Sequence, residues 1–305
     1  MVNIITFGSA SLDVFLKSKK FTSRKGICFD VGSKADFEDI YFSSGGGGTN
    51  TAATFRNQGF NVVFYGVVGT DIFGKAVIKD LRKRKIKTRF IKKIKERPTN
   101  FSVILTSAGK DRTVLAYRGA SEELSFDNVS WQKLKADWFY LAPLSGRAAG
   151  LTEKIVDFAK KNKIKIVLNP GNSQLSLRSI KKIIKKVDIL ILNQEEASLL
   201  TKVPYNREKE IFKKIDKICP GIAVMTKGAK GAVVSDGERL FRAKVPKARV
   251  ADKTGAGDAF GSGFVSGFIK SKGDIEFAIH LATANATSCI KKIGAKEGLL
   301  KNSIL

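Results

Sequence analysis

Histidine is almost absent from this chain: among 305 residues only His280 is one, and that fact alone removes several enzyme classes. Neither a histidine-based nucleophile triad nor a multi-histidine metal site can be assembled. Cysteine is scarce too. Cys28, Cys219 and Cys289 are odd in number and far apart, which argues against a disulfide framework and against cysteine-based zinc spacing, so they read as ordinary thiols. Long hydrophobic runs are missing as well. The apolar stretches are short and broken by charge or glycine, and Met1 to Thr6 leads straight into a strand. Neither a membrane span nor a secretory leader is expected, and the cytoplasm is the expected compartment. Acidic residues are few, 28 against 55 basic ones, for a net charge of +27. Such an excess suggests a nucleic-acid partner, and it would equally attract phosphate-bearing small molecules. The lysines, however, recur in runs such as Lys160 to Lys165 and Lys181 to Lys186, interleaved with isoleucine as solvated helix faces are. No aromatic-basic strand motif of an RNA-binding sheet accompanies them, so nucleic acid is not the expected partner.

What is present is a chain 43% hydrophobic, long enough to bury a large core as one α/β domain or two smaller ones. Val2 to Gly8 and Asn61 to Val68 are apolar runs ending at or next to glycine, the pattern of buried strands. Asp137 to Ala142, Lys165 to Asn169, Asp188 to Asn193 and Ile222 to Thr226 continue that pattern, spaced by expected helices at Gly150 to Lys161 and Ser176 to Lys185. Such alternation predicts a mostly parallel sheet covered by helices on both faces. In that architecture ligands sit beyond the carboxyl ends of the strands, where Asn169, Asn193, Glu196, Thr226 and Gly228 gather. Thr99 to Thr106 and Arg112 to Tyr117 read as a hairpin around Gly109-Lys110-Asp111. Together with early strands after a looped Phe21 to Gly32, it forms a candidate lid.

Three glycine-rich stretches carry the chemistry. Gly45-Gly46-Gly47-Gly48-Thr49-Asn50 precedes helix-forming Thr51 to Arg56. Four glycines are not expected inside a helix, so the spacing places them before its start, with Thr49 or Asn50 near the cap. A loop of this kind lets a ligand approach backbone closely. Gly69 to Ala76 nearly matches a P-loop but ends in Lys75-Ala76, lacking the metal-ligating hydroxyl, and carries Asp71 and Phe73 where phosphates would lie; a Walker site is rejected. The third stretch, Asp252 to Phe268, is expected to open a helix capped by Thr254, with the Gly255, Ala256 and Gly257 amides uncovered as an anion site. Asp258, in the first turn, would repel that anion unless it accepts a proton from a hydroxyl attacking a phosphoryl group. The competing reading is close packing along a face of Gly261, Gly263 and Gly267, with the acid favoured by the helix dipole alone.

With those residues assembled, the chain resembles the ribokinase-like, PfkB family of carbohydrate kinases across nearly its whole length. Gly45, Gly46, Gly48 and Asn50 match one family signature; Asp252, Thr254, Gly255, Ala256, Gly257 and Asp258 match the more specific D-x-T-G-A-G-D. Gly69-x-Asp71-x-x-Gly74, Asn193-x-x-Glu196 and Thr226-x-Gly228-x-x-Gly231 match family motifs between them. The resemblance implies one ribokinase-like domain over 1–305 with a small β lid from about 12–44 and 97–118. It further implies transfer of the ATP γ-phosphate to a primary hydroxyl of a sugar, with a nucleoside as the alternative acceptor and a nonenzymatic nucleic-acid binder as the remote one. By the same resemblance Asp258 is the base and the Gly255, Ala256 and Gly257 amides form the anion hole. Asp13, Gly45, Gly46 and Asn50 hold substrate, and Asn193, Thr226, Gly228, Gly231 and Asn285 serve the nucleotide. Asn285 could instead be a helix-packing asparagine. Glu196 organises Mg2+ indirectly, Asp252 marks a possible K+ position, and the lid can mediate a homodimer. Ribokinases carry Asn two residues before the substrate aspartate and an acid near Leu141 to Gly146; Ser11 and an acid-free segment here argue against ribose itself.

Overall fold

The computed structural model describes residues 1–18, 31–106, 112–125 and 131–302. The chain begins with β1 (Asn3–Phe7), then runs through β2 (Ser11–Lys17) and β3 (Asp39–Gly45) into α1 (Gly47–Asn57). Next come β4 (Asn61–Gly69), α2 (Ile72–Lys83), β5 (Lys87–Ile94), β6 (Asn100–Thr106) and β7 (Thr113–Tyr117). Its middle alternates β8 (Trp138–Leu141), α3 (Leu151–Lys161), β9 (Lys165–Leu168), α4 (Asn172–Leu175), α5 (Ile180–Ile184) and β10 (Ile189–Asn193). It closes with α6 (Gln194–Thr201), α7 (Glu208–Asp216), β11 (Ile222–Thr226), β12 (Ala232–Ser235), β13 (Leu240–Ala243), α8 (Ala256–Lys270) and α9 (Ile275–Cys289).

Two sheets result. Nine strands lie in the order β13-β12-β11-β10-β9-β8-β1-β4-β5, parallel from β11 to β5 and antiparallel at β12 and β13. Successive residues along each strand serve opposite faces. Ile5, Phe7, Val63 and Tyr65 pack with α3, α5, α6 and α7, whereas Ile4, Val62 and Phe64 pack with α1, α2, α8 and α9. Burial on both sides is why these strands read as unbroken apolar runs. The second sheet, β3-β2-β6-β7, is the lid expected from the sequence, with β2 and β6 parallel and β6 and β7 antiparallel. The Gly109 to Asp111 turn, Cys28 and most of the Phe21 to Gly32 loop lie outside the described residues.

Three expectations need correction. First, Gly47 and Gly48 belong to the first turn of α1, and Gly46 is its N-cap at φ 93°. A Cβ on Gly48 would sit 2.7 Å from the Phe64 ring and 2.8 Å from the Gly8 Cα. The glycines therefore let a helix start press on the β1–β2 connection. Second, the helix expected over Ser176 to Lys185 is only the short α5, Ile180–Ile184, and Ser176–Ser179 instead separates it from α4, which ends at Leu175. Third, α2 begins at Ile72, four residues before the expected Ala76, because Asp71 caps it by accepting from the Gly74 N–H at 2.8 Å.

Asp71 also accepts from the Thr99 N–H at 2.6 Å and the Thr99 hydroxyl at 2.9 Å, and Phe73 stacks on Phe101 at 4.9 Å. Burial pushes the Asp71 carboxyl up, but these hydrogen bonds together outweigh it and hold the carboxyl below its usual range. The near-match to a P-loop is thus a joint that fixes the lid strand β6 to the large sheet.

Candidate active site

Helix α1 packs against α8, β1 and β3. Helix α8 starts at Gly255 rather than being capped by Thr254. Gly255 is left-handed at φ 76°, and a Cβ there would lie 2.4 Å from the Ala295 Cβ. Thr254 turns back instead: its N–H and hydroxyl both donate to Asp252 Oδ1, at 2.9 and 2.8 Å. Asp252 Oδ2 accepts from the Gly294 N–H at 3.0 Å, so the buried carboxylate staples the loop before α8 to the segment after α9. The Ala256 N–H donates to Lys253 O. Gly257 and Asp258 follow it in the first turn, whose amides have no carbonyl a turn earlier in the helix, and Gly257 faces open space.

Asp258 is half-buried and directed at the start of α1: its Oδ2 accepts from Asn50 Nδ2 at 2.8 Å, and its Oδ1 would be 3.4 Å from a Cβ on Gly47. The acid and the tetraglycine stretch, far apart in sequence, are thus neighbours in the fold. Asn50 is 5% exposed, and its Oδ1 has no hydrogen-bond partner among the described residues, leaving a buried acceptor beside Asp258. Asp13, 6% exposed on β2, accepts from the Ser11 hydroxyl at 2.9 Å. A Cβ on Gly45 would fall 1.9 Å from Asp13 Oδ2, so the glycine at the end of β3 makes room for the carboxylate. Burial pushes both Asp13 and Asp258 above the usual aspartate range. For Asp258 the Asn50 hydrogen bond and the Lys296 charge pull the other way.

On the other side of the α8 start lies a cleft of about 400 Å3 lined by Thr226, Gly228, Gly231, Ala256, Gly257 and Phe260, among others. Its walls are largely apolar, with Val245, Val250, Ala286 and Ile290, and a few polar groups, as suits a flat heterocycle with a polar tail. From α9 the lining residues are Thr283, Ala286, Thr287 and Ile290, at helical spacing. Asn285 does not reach the cleft, a correction to its sequence-based role. It is fully buried, donating to Ala259 O at 2.8 Å and accepting from the Leu300 N–H at 2.9 Å, against Gly263 of α8. Along this face the close-packing reading of the α8 glycines holds. The sequence signal for the cleft was the Thr283–Thr287 pair, one face round from Asn285.

Asn193 and Glu196 form a reciprocal cap on α6: Asn193 Oδ1 accepts from the Glu196 N–H and Glu196 Oε2 from the Asn193 N–H, both at 2.8 Å. Burial pushes the Glu196 carboxyl up, and the Asn193 N–H draws it down. Two residues that sequence reasoning missed also belong here. Arg112, at the foot of β7, lines the cleft with its Nε 4.0 Å from Asp252 Oδ1. Lys296, beyond α9, is 2% exposed close to the acids.

The mostly parallel nine-stranded sheet covered by helices on both faces, with the small second sheet beside it, is a ribokinase-like fold, and its class is that of the sugar kinases. Residues 1–302 match the family model for pfkB family carbohydrate kinases, and the chain belongs to that family. A ribokinase of Lactococcus lactis subsp. lactis is 27% identical over 307 residues, covering 99% of this chain and 95% of its own. Among solved structures, a ribokinase of Arabidopsis thaliana complexed with ribose and ATP superposes with a TM-score of 0.81 at 20% identity, covering 99% of this chain and 96% of that one. A nucleoside kinase of Methanocaldococcus jannaschii superposes at 0.78 and 21%, covering 99% and 96%. Among the described residues no helix is long and apolar enough to cross a membrane.

Proposed function

We propose that this sugar kinase uses Asp258 to take the proton from a primary hydroxyl as that oxygen attacks the γ-phosphorus of ATP. The bond to the ADP oxygen breaks as the new P–O bond forms, and the Gly257 and Asp258 amides steady the migrating phosphoryl group. The observation that carries the reading is the clustering of Asp258 with the orphaned Asn50 acceptor and the Asp13 carboxylate beside the tetraglycine stretch. Asp13, Asn50 and the Gly45–Gly46 backbone hold the acceptor's hydroxyls. Thr226, Gly228 and Gly231 hold the nucleotide, with Thr283 and Thr287 taking the place first assigned to Asn285. Magnesium keeps most of its waters and needs only one or two carboxylates besides phosphate oxygens, which fits Glu196, whose Oε1 is not used by the α6 cap. The ion would neutralise phosphate charge there. A K+ ion at Asp252 would share both carboxylate oxygens with the Thr254 and Gly294 N–H groups, so the assigned roles do not include it.

Ser11 donates to Asp13 rather than standing free for a sugar hydroxyl, which keeps acceptors other than ribose in view, nucleosides included. An ADP-release screen over pentoses, hexoses, ketosugar acids and nucleosides decides the class; turnover with none of them, magnesium present, would refute the reading. With the acceptor found, Asp13→Ala is expected to raise its KM about tenfold or more, for loss of a charged hydrogen bond, with a smaller change in kcat. An unaltered KM would remove Asp13 from the substrate contacts.

The lid leaves Ile40, Phe42, Leu115 and Tyr117 exposed on its two edge strands, which supports a homodimer formed through it. Light scattering should then give twice the chain mass, falling to the monomer on Phe42→Glu. A wild-type monomer at micromolar concentration would dismiss the dimer.

A further inference from the structure

Lysine is rarely fully buried, because taking an ammonium out of water costs several kcal/mol unless it is well paired. Lys296 is 2% exposed, and its Nζ donates to Ser44 O at 2.6 Å and Ser44 Oγ at 2.8 Å. Both acceptors are neutral. No carboxylate of the described residues comes within 4.0 Å of it. A glutamine could satisfy the same two oxygens without the desolvation cost, so the hydrogen bonds do not account for a charge at this place.

The surroundings do. Ser44 precedes Gly45 and Gly46, and its hydroxyl donates to Asp80 Oδ2 at 2.5 Å. Asp80 is already paired with Arg84 at 3.0 Å, and Arg84 with Glu297. Of the acids whose charge acts on Lys296, the two without a close cation are Asp13 and Asp258. Asp13 faces Ser11, Ser102, Asp252 and Lys296; Asp258 faces Asn50 from α1, Asp13 from β2, Tyr140 from β8, Cys289 from α9 and Lys296. Lys296 thus acts as a positive charge on both carboxylates, and its hold on Ser44 sets it beside the Gly45 that abuts Asp13.

We propose that Lys296 is a positioning residue for phosphoryl transfer, its buried ammonium serving as the counter-charge shared by Asp13 and Asp258 and as the clamp holding Ser44 beside the Gly45–Gly46 turn. Burial draws the ammonium down to about 8, with Asp80 drawing it back up, so it is charged at neutral pH. This inference rests on Asp258 being the base, and its test includes a measurement that needs no turnover.

Lys296→Gln keeps a donor for Ser44 and removes the charge. Carbon-13 carboxyl titration of the free protein should show the Asp13 and Asp258 midpoints about one unit or more higher in this variant. The acid limb of kcat/KM should move up with them, leaving activity about tenfold lower at pH 6 and largely restored at pH 8. Unmoved midpoints, or a loss of kcat/KM by the same factor at every pH, would overturn the inference, the second marking a merely structural lysine. Should the glutamine variant fail to fold, Lys296→Arg retains a cation. A wild-type acid limb there supports the counter-charge, and a raised one overturns it. If the wild-type chain turns over no alcohol, the kinase mechanism fails by itself and the carboxyl titration alone decides about Lys296.

Discussion

Asp258→Asn should lower kcat by about 100-fold or more while leaving KM for the acceptor within a few-fold, because the amide keeps the shape of the site and loses the proton acceptor. The pH profile should change with it. Burial raises the Asp258 carboxyl in the fold, so wild-type kcat/KM falls on the acid side above the range of an exposed aspartate; the residual activity of the variant should lack that limb. Stability should move the opposite way to activity. With a folded pKa above the unfolded value, the native state holds the extra proton between the two. This group's contribution to stability is therefore present below the unfolded value and lost as pH rises through the folded one. Above that window wild type carries a desolvated charge that the asparagine variant does not, and thermal unfolding at pH 8 should show a Tm equal to or above wild type. Turnover at the wild-type rate would end the assignment of Asp258 as base.

Gly255→Ala should damage both fold and reaction. The residue is left-handed, which costs a side-chain-bearing residue about 1–2 kcal/mol, and the added methyl would meet Ala295 at 2.4 Å. To relieve that contact the start of α8 must shift, taking the Gly257 and Asp258 amides off the position proposed for the migrating phosphoryl group. Loss of an aligned donor of this kind costs about 100-fold in kcat. Tm should drop by several degrees, and the acceptor KM should change little because Asp13 and Asn50 lie on other elements. A variant with normal kcat and Tm would show that the left-handed start is not needed.

Much of this was legible in the sequence, for physical reasons that differ by element. Strands β8 to β11 were readable because burial on both faces writes an unbroken apolar run, and the polar Asn169, Asn193 and Thr226 at the ends of β9, β10 and β11 marked the rim expected to take ligands. The acid at the start of α8 stood out as a candidate base because its charge would have no structural merit beside an anion, and the fold sets it against Asn50. Helix starts were misplaced where glycine permits close approach. Nothing local to Gly47 announces Ala142 and Asp258, nor anything local to Gly48 Phe64 and Gly8, as the surfaces they approach. Asn285 was misassigned because a small-residue stripe and a cleft-lining stripe run side by side on one helix, and a shift of one or two positions exchanges them. Asn193 and Glu196 show a helix-cap spacing that equally suits ligand binding, and the structure uses it at least for the cap. Lys296 could not be singled out among 55 basic residues. Its distinction is its dryness, which only the packing of the final loop on β3 creates.

The parallel pairing of β2 with β6 has a consequence for how the molecule comes into being. Those partners are separated in the chain by β3, α1, β4, α2 and β5, so an emerging polypeptide can pair β2 with β3 early but must wait for β6 before the small β cover has its middle strands. The cover is therefore no portable module. It cannot be cut out and grafted as one piece, and it is completed only after the first third of the nine-stranded platform has been laid down beneath it.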